Sequence, residues 1–297
     1  MAENSKIQWT DHTFNPWIGC TKVSLGCLHC YAEEMMDKRY HRVQWGDNGT
    51  RSRTSPENWK KPLQWNRRAE KEGRRHRVFC ASLADVFEDN EQVYNWRLDL
   101  WETLIQQTPN LDWLLLTKRV DIAAKFLPYR SRRPSNVWLG ASVCNQEEAD
   151  RIIPQLLDLR RYVAGVFLSC EPLLEKVEFQ RSANGRFYDY LINQWFPCGR
   201  GAGGAVAGGR ISTCDGGVDW VICGGESGGK ARECDLTWLY WIVSQCQRAR
   251  VPVFVKQLGS KPVVLDEPYS ATGKGGDPAK WPENLRVRQF PEFGGVK

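Results

Sequence analysis

A chain of 297 residues, 41% hydrophobic and 26% charged, has the balance of a folded globular protein and room for one large domain or two small ones. It contains no apolar run of about 18 residues, which argues against a membrane-spanning helix, and Met1 to Lys6 lack the charged-then-apolar layout of a secretory leader. The eleven cysteines are odd in number and the chain is long, so disulfide stapling explains them poorly and a reducing, cytoplasmic setting is expected.

In chain order, a short strand is expected at 7–10. Next comes Gly19-Cys20-Thr21-Lys22-Val23-Ser24-Leu25-Gly26-Cys27-Leu28-His29-Cys30-Tyr31, a Cys-x6-Cys-x2-Cys spacing with glycine before the first two cysteines. Glycine lets a backbone fold tightly enough for thiolates to converge. Soft thiolates select iron–sulfur clusters, zinc or copper(I), and closed zinc sites want four ligands. Three cysteines without a nearby fourth suit an iron–sulfur cluster with one iron left open. A zinc site using His29 and ordinary buried thiols are the alternatives, although His29 lies between two ligand candidates and its side chain is expected to point away.

Residues 38–77 follow, with thirteen Lys or Arg against four acids and with Trp45, Trp59 and Trp65 interleaved. Basic groups among aromatics can hold phosphates and stack bases, and Arg67, Arg68, Arg74 and Arg75 are the candidate nucleic-acid contacts. The alternative is a solvated helix face with tryptophans in the core.

Beyond this segment lie six apolar runs of four to six residues, beginning near Arg77, Trp113, Val137, Gly165, Asp219 and Val251. Continuous hydrophobicity of this length marks strands buried on both faces of a parallel sheet. Helix-compatible stretches at 90–107, 145–159 and 236–249 alternate with them, which predicts an α/β fold, a full or partial TIM-like (β/α) barrel. The polar residues closing the runs are Ser82, Asp85, Lys118, Arg119, Ser142, Glu171, Glu226, Lys256 and Gln257, and ligands bind at that end of such sheets. Cys80, Cys170 and Cys223 lie inside the runs and are simplest as core residues. A glycine-rich insertion at about 186–217 reads as a surface loop; Cys198 and Cys214 flank its glycine run at 199–209 and are expected neither to bind metal nor to pair, a metal site or a disulfide being the alternative. The barrel is expected over 1–260. An irregular extension, anchored by Trp281, is expected over 261–297.

The cysteine loop, with an aromatic directly after its third cysteine, resembles the cluster loop of radical S-adenosylmethionine enzymes. It departs from their usual pattern of three residues between the first two cysteines and an aromatic before the third. Trp9-Thr10-Asp11, Asn15-Pro16-Trp17, Leu115-Leu116-Thr117-Lys118-Arg119, Leu168-Ser169-Cys170-Glu171-Pro172-Leu173-Leu174 and Gly224-Gly225-Glu226-Ser227-Gly228 are similar to a radical-SAM-like family of phages and bacteria. The resemblance spans about 6–260 and places a phage-encoded member in the host cytoplasm.

It implies a [4Fe–4S] cluster on Cys20, Cys27 and Cys30, with S-adenosylmethionine on the fourth iron. It further implies a 5′-deoxyadenosyl radical that abstracts hydrogen, and an electron donor such as flavodoxin or ferredoxin. Gly224 and Gly225 would let the backbone approach that ligand, and Glu226 would take its amine. Lys118 or Arg119 would meet its carboxylate, Glu171 would hold a ribose hydroxyl, and Ser82 and Ser142 would complete the pocket. The expected substrate is a DNA base, through rearrangement of an aminoacyl-thymidine or repair of a thymine photolesion. A small-molecule or peptide substrate and a zinc-stabilised, non-catalytic nucleic-acid-binding protein are the competing functions.

Overall fold

The apolar runs pair with one another in chain order. In the computed structural model, which describes residues 5–127, 134–183, 186–197, 216–270 and 273–293, seven strands form one parallel sheet. They are β1 (His12–Phe14), β2 (His76–Cys80), β3 (Leu111–Thr117), β4 (Val137–Ser142), β5 (Gly165–Cys170), β6 (Trp220–Gly224) and β7 (Val253–Gln257). Each pairs with the next, and β1 and β7 are the edges among the described residues, so the sheet is a curled partial barrel.

Alternation explains why the runs are apolar throughout. Successive side chains point to opposite faces of a strand. Val78, Trp113, Leu115, Val166, Leu168 and Val221 pack toward the helices, whereas Phe79, Leu114, Trp138, Phe167, Trp220 and Phe254 fill the concave face. The helices on the outer face include α1 (Pro56–Glu72), α2 (Val120–Phe126), α3 (Gln146–Leu159) and α4 (Leu236–Ala249). Ser55, Asn145 and Asp235 cap α1, α3 and α4 by accepting backbone N–H bonds that the first turn leaves unpaired. The stretch expected as one helix at 90–107 is three pieces, a 3-10 turn (Glu91–Val93), an α-helical turn (Tyr94–Leu98) and a π-wound turn (Asp99–Ile105).

The strand expected at 7–10 is displaced to His12–Phe14. The Thr10 hydroxyl takes the place of a ladder partner, accepting from Phe79 N–H at 3.0 Å and donating to the Arg77 carbonyl at 2.9 Å. The backbone therefore joins the sheet only beyond Thr10, and Trp9 turns into the concave face.

Where a surface loop is expected, the described residues at the start of the insertion form two strands, Arg186–Asp189 and Gln194–Pro197, in a small antiparallel sheet with Gln180–Ala183 just before it. Cys198, Cys214 and the glycine-rich run between them lie outside the described residues. Trp281 is buried, its indole N–H donating to the Gly275 carbonyl at 2.9 Å. Beyond it the chain returns to the sheet, with Gln289 N–H donating to the Val253 carbonyl at 2.9 Å and Phe293 packing 4.7 Å from Trp138. No described helix is long and apolar enough to cross a membrane.

Asp11 secures the amino end of the sheet. It accepts the Arg77 backbone N–H at 2.8 Å and the Arg77 Nε at 3.0 Å, with Arg74 at 3.2 Å. Burial works to raise its carboxyl, but the bonds and charge of Arg77 outweigh that and lower it to about 2 from the ordinary 3.8. A depressed carboxyl stabilises above its unfolded value and loses that contribution as pH falls through its folded value. Asp11→Asn is therefore expected to cost about 1 kcal/mol at pH 7, a figure discounted for partial exposure. The gap from the wild type should close between about pH 4 and pH 2. Urea unfolding at pH 7 and pH 3 checks this, and a gap of equal size at both removes the ion pair as its cause.

Candidate functional site

The carboxyl ends of the strands open onto a cavity of about 430 Å³ whose wall carries Cys20, Cys27 and Cys30. Ser82, Asp85, Lys118, Arg119, Ser142, Glu171, Gly225, Glu226, Lys256 and Gln257 line the same cavity, floored by Trp9, Phe79 and Leu116. The gathering follows from topology: in a parallel sheet every strand delivers its last residue to one end.

The cysteine loop is held on two sides. Gly19 has a φ of +112°, left-handed backbone that favours glycine, and a Cβ there would lie 2.6 Å from the Thr50 carbonyl. On the Cys20 side, Arg119 donates to the Thr21 carbonyl at 2.7 Å, to Asp85 at 2.9 Å and to the Cys20 sulfur at 3.5 Å. Arg51 donates to the Thr21 hydroxyl at 3.1 Å and pairs with Glu88 at 2.7 Å, both side chains buried. Ser24 caps the turn Leu25–Cys27, and the loop lies so close to the wall that a Cβ on Gly26 would meet the Cys144 sulfur at 2.3 Å.

The second hold comes from the loop after β6. Glu226 receives Arg232 Nη2 at 2.7 Å, Nε at 2.9 Å and backbone N–H at 2.8 Å, and Arg232 Nη1 donates to the Leu25 carbonyl at 3.0 Å. His29 sets its Nδ1 3.3 Å from the same carboxylate. Burial works to raise the Glu226 carboxyl, and the bonds from Arg232 and His29 lower it on balance.

The strand ends carry their own contacts. Ser82 is held by Asn15 Nδ2 at 3.0 Å, and its carbonyl accepts the Tyr31 hydroxyl at 2.6 Å. Lys118 Nζ donates to the Ser142 hydroxyl at 3.1 Å. Lys256 lies 3.0 Å from Glu171 Oε1, an oxygen that is buried and has no aligned hydrogen bond. The ladder between β6 and β7 slips where Gly224 pairs with Gln257, the kind of bulge that re-aims side chains beside a site. Gly224 stands behind the cavity wall. A Cβ on it would meet the Gln257 carbonyl at 2.9 Å, and one on Gly225 the Leu258 carbonyl at 2.3 Å, so both glycines serve the closure of β6 on β7.

Burial holds the Cys20 thiol up at about 12 and raises Cys30, so both are protonated before any metal binds. As placed, no three His, Cys, Asp or Glu side chains among the described residues form a metal-holding group, the loop cysteines included. Chemically the donors fit a cluster: three free thiols on one cavity wall, with Lys118 and Arg119 beside them to balance thiolate charge.

The arginines of the basic segment do not join this site. Arg67 and Arg68 are exposed in the last turns of α1, and Arg74 and Arg75 connect it to the start of β2. A five-residue strand separates that start from the cavity, about 17 Å at 3.3 Å per residue. The segment follows the cysteine loop in sequence, but α1 runs antiparallel to the strands and carries its arginines to the amino end. Arg75 is a structural pair, 2.8 Å from the buried Asp112, and Arg74 pairs with Asp11 and Glu72. Trp65 is a core residue stacked on His12 at 4.3 Å, whereas Trp45 lines the cavity.

Arg51, Glu88 and Arg232, which hold the cysteine loop, are not legible in the sequence as site residues. Arg51 and Arg232 belong to polar stretches like many others, and only the fold returns them to the cysteine loop.

The chain belongs to the family described as "Protein of unknown function (DUF5131)", whose model matches residues 4–283. No curated protein matches it. Among solved structures it is similar to a spore photoproduct lyase double mutant with bound AdoMet and dinucleoside spore photoproduct, at 10% identity and a TM-score of 0.40. The match covers 55% of this chain and 46% of that one, less than half its length.

Proposed function

We propose that this member of the DUF5131 family is a radical S-adenosylmethionine enzyme, with a [4Fe–4S] cluster held by Cys20, Cys27 and Cys30 and S-adenosylmethionine beside it. The observation that carries the reading is a cavity at the carboxyl end of a parallel partial barrel, lined by all three cysteines and by polar groups from successive strands. When bound, the two groups supply reductive cleavage of the sulfonium and a hydrogen-abstracting 5′-deoxyadenosyl radical, the electron coming from a flavodoxin or ferredoxin.

The protein's own residues bind, orient and shield. Lys118, bonded to the Ser142 hydroxyl, presents an ammonium to the ligand carboxylate. Glu171, which lines the cavity with its Oε1 3.0 Å from Lys256, is the residue we assign to a ribose hydroxyl. Glu226 already takes three bonds from Arg232 and one contact from His29. Three of these fall on Oε2 and only Arg232 Nη2 falls on Oε1, so Oε1 keeps its second lone pair for the ligand amine while the carboxylate holds the loop. The aromatic floor excludes water beneath the reacting atoms.

The substrate class we propose is a DNA base. Tyr31 and Trp45 on the cavity wall, with Lys22 and Lys274, support it, since aromatic faces stack extruded bases and cations meet phosphates.

Anaerobic purification with iron, sulfide and zinc assays tests the chemistry. A brown protein holding iron and sulfide is expected, and a colourless zinc protein sinks the reading in favour of a binding protein. Lys118→Met is expected to keep the cluster and weaken S-adenosylmethionine binding by about 1.5–3 kcal/mol, as for one hydrogen bond to a charged group. Equal affinities in calorimetry would remove Lys118 from the ligand site. Turnover that depends on added DNA is expected, and DNA-independent 5′-deoxyadenosine formation with a small-molecule product overturns the substrate class.

A further inference from the structure

Arg119 stands in a motif that resemblance assigns to ligand binding, yet its guanidinium is spent. The side chain is 8% exposed. Nη1 donates to Asp85 Oδ2 at 2.9 Å and to the Cys20 sulfur at 3.5 Å, and Nη2 donates to the Thr21 carbonyl at 2.7 Å. Asp85 is itself fixed, accepting from the Thr117 hydroxyl at 2.8 Å and the Phe87 N–H at 2.9 Å. Glu88 lies 3.6 Å from Nη2. A planar fork pinned at this many points has fixed aim. Its neighbour Lys118 reaches only a hydroxyl among the contacts described.

We infer that Arg119 is a positioning residue that donates an N–H···S bond to Cys20 and thereby raises the reduction potential of the cluster that Cys20 helps to hold. The inference rests on the proposed function. Hydrogen bonds to ligating sulfur withdraw electron density from it, and a buried cation favours the more negative, reduced state; both are levers by which a protein sets a cluster's potential. The Asp85 carboxylate keeps the guanidinium in place and partly offsets its charge.

The same geometry separates the two adjacent cations. Lys118 faces the cavity ligand, and Arg119 faces the sulfur behind it.

The test uses the reconstituted full chain, with redox titration followed by electron paramagnetic resonance. Arg119→Lys keeps the charge and loses the fork, whereas Arg119→Gln loses the charge as well. Both should retain iron and sulfide, and the potential should move to more negative values, further in Arg119→Gln. In the wild type, the Fe–S(Cys) stretching bands in resonance Raman should shift on exchange into deuterium oxide, and that component should be lost in Arg119→Lys. Unchanged potentials in variants that hold the cluster overturn the assignment and leave the proposed function standing. If neither variant folds, the wild type decides: Fe–S bands insensitive to deuterium overturn the inference. A wild-type chain that takes up no iron–sulfur cluster overturns the proposed function and this inference together.

Discussion

Replacing any one of Cys20, Cys27 or Cys30 with Ala is expected to yield a colourless protein that no longer takes up iron and sulfide or forms 5′-deoxyadenosine. The expectation is all-or-none because three ligands leave no spare: each thiolate removed opens a second position on the cluster. Cys144→Ala is the informative control. Its sulfur lies against Gly26 in the loop, but it is fully buried and does not line the cavity. It should therefore keep iron at the wild-type level, as should Cys80→Ala in the core. Iron and sulfide assays on the five variants settle the ligand set. Full iron in Cys27→Ala, or loss of iron in Cys144→Ala with Cys27→Ala unaffected, would move the ligands elsewhere.

Arg51→Ala is expected to destabilise the fold by about 3 kcal/mol, the lower end of the cost of breaking a buried ion pair, because Glu88 keeps Arg119 Nη2 at 3.6 Å. Arg51 is fully buried at its side chain and Glu88 is 5% exposed, with two bonds of 2.7 Å between them. The guanidinium also holds the Thr50 and Gly46 carbonyls and the Thr21 hydroxyl. Its removal therefore frees the chain on both sides of the cysteine loop. The stability change should be accompanied by slower cluster reconstitution, which a loss confined to global stability would not produce under native conditions. Replacing both partners, Arg51→Met with Glu88→Leu, should recover much of the stability, because the desolvated charge then disappears. Chemical unfolding of the three proteins checks this. A loss under 1 kcal/mol in Arg51→Ala would mean that water reaches Glu88 and the pair is not a buried one.

Sequence by itself determined the strands from β2 to β7. Continuous runs such as Trp113 to Leu116 are affordable only where both faces are covered, and the helical stretches between them supply the outer cover. It also determined that one end of the sheet would be polar, because each run stops at residues such as Ser82, Lys118 and Ser142, and a parallel sheet brings those stops together. The cysteine spacing was legible for the same reason: it is local, and Gly19 and Gly26 beside it state how tightly the loop must turn.

What only the tertiary structure decided is which charges meet. The basic count of 38–77 carries no direction, and the antiparallel run of α1 sends Arg67, Arg68, Arg74 and Arg75 to the end away from the cavity. Glu226 is read in isolation as a free acceptor, but a loop of five residues returns Arg232 onto it and onto Leu25. Arg119 is adjacent to Lys118 in sequence and faces different partners in space. Hydrophobic periodicity is a property of neighbouring residues, so the chain records it directly. Which groups meet, whether across six positions as in Glu226–Arg232 or across 99 as in Cys20–Arg119, is a property of the packed fold, and no local pattern encodes it.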